Sequence, residues 1–166
     1  MRLLKLKDEQ GGTLVETAIA ATVMLGVIFS FFELFMAFYA YHYVSYAARD
    51  AARYAIVRGS DCSTDSKTMT DCDVTQTELQ TYVQGLNFPG INANDVTVAL
   101  SQQTAVYTET ATSVTTSWSP CTANAGCDAP GNADTVTVTY AFPLNLPFFD
   151  NKSLSFSSTS QMVISQ

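Results

Sequence analysis

The chain has 166 residues, 14% of them charged, and a formal net charge of −7 at neutral pH. That length allows one modest domain plus one membrane segment. After Gly59 there are ten acids against two lysines, a surface that repels phosphate backbones, so no nucleic-acid partner is expected.

Residues 1–11 read as a short polar leader carrying Arg2, Lys5 and Lys7. Cations before an apolar run place the first residues in the cytoplasm and everything after the run outside. A secretory signal would carry its apolar core before the cut and lose it on cleavage, whereas here the run lies beyond the leader. A signal-peptide cut near Ala47-Ala48 stays open as the alternative, although helix-favouring sequence continues through it.

The apolar run begins at Gly11-Gly12-Thr13-Leu14-Val15-Glu16, and from Thr17 to Ala48 its one formal charge is Glu33. Thr13–Val57 has no proline and a single glycine, Gly26, so a continuous helix is expected over residues 12–59. Its part Gly12–Val57, if all helical, is roughly 69 Å long at about 1.5 Å per residue, about twice what a bilayer core requires. Tyr39, Tyr41, Tyr43 and Tyr46 are placed to form an interfacial aromatic belt. Ala47–Ala55 mixes alanine with Arg49 and Arg53, which share a face, and its small residues allow close packing of a sheet or helix. Gly59 is the expected helix stop, in the left-handed conformation of a C-terminal cap.

Residues 60–166 read as an exported α+β domain. All four cysteines lie there as two close pairs, Cys62 with Cys72 and Cys121 with Cys127. In an exported, acidic region an even count reads as two disulfides; three pairings are formally possible and the local one is favoured. Thr75 with Glu78 resembles a capping box, opening a second helix with Leu79, Tyr82, Val83 and Leu86 on one face. Asn87-Phe88-Pro89-Gly90 ends it. Val96–Leu100 and Thr135–Phe142 alternate with period two, and Thr112–Trp118 and Leu154–Ile164 are weaker strands. A small antiparallel sheet packed on the exposed half of the long helix follows.

A glycine before the cut, a glutamate five residues into the mature chain and an apolar helical stalk are what prepilin peptidases and pilus-type machines read. Gly11, Glu16, the apolar run Thr17–Phe32, Glu33 and the alanine-arginine segment Ala47–Val57 together resemble the TadE-like family of tight-adherence (Flp-type) pilus proteins, which are prepilin-like pseudopilins. Phe35–Met36 departs from the family, many of whose members place a small and a basic residue after the second glutamate. The resemblance implies cleavage between Gly11 and Gly12 by a prepilin peptidase, with other pilin or pseudopilin subunits, the inner-membrane assembly platform and membrane lipid as partners. It further implies that Glu16 pairs with the α-amine of a neighbouring subunit.

Glu16 equally suits a helix N-terminus, where the dipole favours an anion. Glu33 is either a functional intramembrane acid or a carboxylate reaching the outer headgroups, and Gly26 either softens the helix or marks a close-packing spot. His42 is the sole histidine, and no nucleophile motif accompanies it, so no catalytic role and no cofactor are expected. Asp61, Asp65, Asp71 and Asp73 miss the spacing of a calcium loop and read as a solvated acidic turn. The expected function is that of a minor pilin or pseudopilin acting in pilus assembly or initiation. An uncleaved single-pass envelope protein, with its acidic outer domain an adhesin or binding module, is the alternative; an exported hydrolase is a remote third.

Overall fold

The structure is a computed structural model that describes residues 9–60, 62, 72–110, 113–121, 126–144 and 152–165. Its elements are α1 (Glu9–Ile56), α2 (Gln76–Gly85), a 3₁₀ turn (Ala93–Asp95), β1 (Val96–Thr110), β2 (Ser113–Pro120), β3 (Ala133–Leu144) and β4 (Lys152–Val163). They form the expected α+β architecture, with the strands ordered β2-β1-β3-β4 in one antiparallel sheet. The described residues fall into two units, one within Met1–Phe38 and Pro143–Ser153, the other within Tyr39–Phe142 and Leu154–Gln166.

In the first unit, α1 begins at Glu9, before the Gly11-Gly12 step. Its apolar side chains face outward: Leu14 is 70% exposed and Phe35 69%. Thr17 and Thr22 turn their hydroxyls onto the carbonyls of Leu14 and Ala18, and Ser30 donates to Gly26. Hydroxyls satisfied within their own helix suit an apolar surrounding, where water is not there to receive them.

The second unit is built on the continuation of α1. Ala40, Ala47, Ala48, Ala51 and Ala52 are fully buried, and Val44 and Ala55 nearly so. Their spacing of three and four residues forms one broad seam, and the absence of long side chains lets the backbone approach closely. Facing the seam is a core of Val96 and Val98 from β1, Val136, Val138, Tyr140 and Phe142 from β3, and Leu79 and Val83 from α2. Tyr43 is also buried, its ring 4.8 Å from Phe88 and 6.3 Å from Tyr140. Tyr46 and Tyr41 meet Phe88 and Phe156. Of the four tyrosines expected at the interface, Tyr43 is thus taken into the domain core, while Tyr39, Tyr41 and Tyr46 stay exposed.

α1 also stops differently from the expectation. The left-handed glycines among the described residues are Gly90, Gly126 and Gly131, and α1 instead closes by a turn in which the Arg58 amide donates to the Ala55 carbonyl. α2 follows the sequence closely, with a reciprocal capping box between Thr75 and Glu78. β1 runs ten residues beyond the alternating stretch, because β2 pairs with it from Gln103↔Pro120 to Thr110↔Ser113. On the other side, β1 pairs with β3 from Val96↔Tyr140 to Gln103↔Ala133. β3 meets β4 through Thr137–Thr159 and Thr139–Ser157 hydroxyl contacts on the outer face.

Among the described residues the β1 edge before Gln103 has no strand neighbour, and α2 covers part of it with Gln80. This side chain donates to the Val96 carbonyl at 2.6 Å and accepts from the Val98 amide at 2.7 Å. One amide thus stands in for a ladder partner and blunts an edge that would otherwise template pairing. Gln80→Ala leaves both half-buried backbone groups unpaired, and we expect it to cost about 1–3 kcal/mol of domain stability, read by chemical denaturation.

Candidate assembly segment and the acidic turns

Gly11, Gly12 and Glu16 all lie on exposed turns of α1, and Glu33 is half-buried further along it. A Cβ added at Gly11, Gly12 or Gly26 meets nothing within 4 Å. The fold therefore gives no steric reason for glycine at these three positions. No ion pair to Glu16 or Glu33 is found among the described residues of this chain.

α2 is held to α1 by an aromatic stack. Tyr54 and Tyr82 lie 4.0 Å apart and nearly parallel, and the Arg58 guanidinium sits 3.6 Å over the other side of Tyr54. The Tyr82 hydroxyl donates to Asp50 at 2.8 Å. Burial, and then the Asp50 carboxylate, push the Tyr82 phenol up to about 12, so it stays protonated as a donor. Beside the stack is an open groove of about 440 Å³ lined by Tyr54, Thr77, Glu78, Thr81, Tyr82, Gly85 and Leu86. Its one carboxylate, Glu78, is occupied by the Thr75 amide and hydroxyl, which hold it below its ordinary value. The groove thus offers no poised acid or base.

Both expected disulfides form, Cys62–Cys72 and Cys121–Cys127, each with Cα atoms 5.8 Å apart. Each delivers an aspartate in the next position. Asp73 takes a left-handed φ of 63° and donates its amide to the Arg58 carbonyl. Asp128 accepts at its backbone carbonyl from the Ser60 amide and hydroxyl. A hydrogen bond to Asp128, then burial, then the Asp128 charge raise Asp73 above its ordinary value. Asp134, opposite Gln102 in the β1–β3 register, is 3% exposed, and its Oδ1 has no hydrogen-bond partner. Burial first and the Asp128 charge second push its carboxyl up to about 6, opposed by a hydrogen bond from Gln102.

Asp61, Asp65 and Asp71 of the solvated acidic turn lie outside the described residues, while Asp73 belongs to this pair. Among the described residues no group of three histidines, cysteines or acids is arranged to hold a metal ion. Asp128 and Asp134 escaped the sequence reading. The signal for Asp128 was its place directly after a cysteine, as for Asp73. Asp134 had none, since a period-two strand does not reveal an acid turned inward at its start.

Asp134 carries a pH dependence whose sign is fixed. Its folded value lies above the unfolded one near 3.8, so the native state binds the extra proton and loses stability as pH rises from about 4 to about 6. Asp134→Asn keeps the shape without the charge. It should raise stability by about 1–2 kcal/mol at pH 7 and by little at pH 4, measured as denaturation midpoints at both values.

Gly11–Ile56 is long and apolar enough to cross a bilayer, and it is the single described helix of that kind. One N-terminal helix of this character is compatible with a single-pass anchor. The family model for TadE-like protein matches residues 11–53, the segment that holds Gly11, Glu16, Glu33 and the alanine seam through Ala52. No curated protein and no solved structure matches the chain. Over residues 11–53 the chain is similar to TadE-like protein.

Proposed function

We propose that the chain is a minor pilin or pseudopilin of a tight-adherence pilus system, inserted with its leader in the cytoplasm and the sheet domain outside. A prepilin peptidase removes residues 1–11. Gly12 then carries a cationic α-amine within about a turn of Glu16, and the helix packs among other pilin subunits at the assembly platform. The chain is in this reading a substrate of an enzyme, not an enzyme.

The observation that carries the reading is the apolar surface of α1. It opens directly after Gly11-Gly12, carries Glu16 in its first turns, and stays outward-facing through Phe38. An isolated carboxylate in hydrocarbon costs several kcal/mol, whereas one paired with a neighbour's amine becomes a register device whose loss is costly. The open space around Gly11 adds support, since a glycine that folding does not require suits recognition by a peptidase. The helix running unbroken from Glu9 through the scissile step favours a second reading, an uncleaved single-pass envelope protein whose outer domain binds a partner.

Intact mass of the membrane-extracted protein, from cells with and without a prepilin peptidase, separates the two readings. We expect loss of residues 1–11 only when the peptidase is present, and full-length chain throughout for Gly11→Val. Full-length wild type in both strains would overturn the assembly reading. Glu16→Gln should still be trimmed, yet enter assemblies about tenfold less.

A further inference from the structure

Beyond Gln103, β1 pairs with β2 alone among the described strands. Residues 106–110 of β1 and all of β2 except the half-buried Trp118 are exposed, so this ribbon has no core beneath either face. A lone two-stranded ribbon is marginal in water, and a third strand steadies it. β2 is an outer strand of the sheet. The Cys121 amide donates to the Gln102 carbonyl, so in this register the odd-numbered residues of β2 turn their backbone groups to β1. Backbone groups alternate sides along a strand, and Val114, Thr116 and Trp118 therefore present N–H and C=O outward. Pro120 falls in the same outward series, where no donor is needed. The eight residues of β2 carry no charge and no interior proline, the features that keep an edge from pairing. The fold does blunt the other half of this edge, where Gln80 caps β1.

The opposite edge of the sheet is β4. The Ile164 amide donates to the Asn132 carbonyl, and burial alternates without a break from Phe156 to Met162. Even-numbered residues of β4 thus turn their backbone groups to β3, while Ser155, Ser157 and Thr159 turn theirs outward. Residues 153–163 are uncharged, like β2, in a chain with ten acids and two lysines after Gly59. Two acidic copies repel one another least along these two strips.

We propose that the outward edge of β2 in one copy adds as a strand to the outward edge of β4 in a second copy. The proposal rests on the assembly reading and names one of its contacts. Polarity agrees: β2 and β4 run in opposite directions within the sheet, so a copy in the same orientation offers an antiparallel partner. Facing agrees as well. Thr116, opposite Tyr107, and Thr159, against Thr137, lie on the outer face, so the joined sheet keeps its core faces on one side. Two β2 strands pairing with each other would need a twofold axis through the sheet. That axis reverses α1, whereas one membrane takes both helices in the same sense. Because each copy uses a different edge, the contact is head-to-tail and repeats into an open chain of subunits.

The test uses the full chain in detergent micelles, with self-association followed by sedimentation. Thr116→Pro removes one outward donor of β2 and no β1–β2 bond, and Ser155→Pro does the same for β4. Each should weaken association about tenfold with circular dichroism unchanged. Thr116→Lys, which leaves the backbone donors in place, should weaken it even if the prolines disturb the sheet. Association indifferent to all three variants would overturn the contact. Thr116→Cys chain mixed in turn with Ser155→Cys, Ser157→Cys and Thr159→Cys chains should give a disulfide-linked heterodimer in at least one mixture. No cross-link in any mixture would overturn the contact, and so would Thr116→Cys linking to itself, which would assign β2 to a twofold pair. A chain trimmed by the peptidase yet monomeric in micelles at every concentration would reject this contact and leave the assembly reading standing.

Discussion

The structure depends on a seam of alanines. Ala40, Ala47, Ala48, Ala51 and Ala52 put almost no side chain between the α1 backbone and what covers it. That small volume is what admits Tyr43, Tyr140, Leu79 and the β3 valines into one core around a single helix. Larger residues along the seam would force the packed elements away, and a domain this small has little other core to rely on.

The same helix faces two demands. Before Phe38 its apolar side chains point outward, and its serine and threonine hydroxyls are satisfied within the helix. From Tyr43 onward the seam is covered by protein, while Arg49 and Arg53 occupy a different, exposed face. A helix that is apolar all round in one stretch and amphipathic in the next is suited to apolar neighbours first and to its own domain afterwards. The TadE-like match ends within the second stretch, so it includes both kinds of surface.

Much of this was legible in the sequence. The proline-free run from Thr13 announced α1, Thr75 with Glu78 announced the start of α2, and the threonine-valine alternation of Thr135–Phe142 announced β3, because each pattern expresses a local rule. The pairing of neighbouring cysteines was legible for the same reason. Non-local contacts were not. Tyr43 reads as an interfacial aromatic until Phe88 and Tyr140 are brought to it. Gln80 reads as a solvated helix residue until the bare edge of β1 appears beside it. Asp73 and Asp128 lie 55 apart in sequence, yet both are tied to the end of α1, one to the Arg58 carbonyl and the other to Ser60. Gly11 and Glu16 stood out only by their spacing; a Cβ at Gly11 meets nothing, and no ion pair to Glu16 is found among the described residues.

Native-state hydrogen exchange of the full chain in micelles tests most directly whether the alanine seam unites helix and sheet. The α1 amides from Val44 to Ala55 should exchange only through global opening of the domain, with the same opening free energy as the β3 amides from Val136 to Tyr140. Exchange of the β3 amides while the α1 amides stay protected, or the reverse, would contradict the account, since helix and sheet would then open independently.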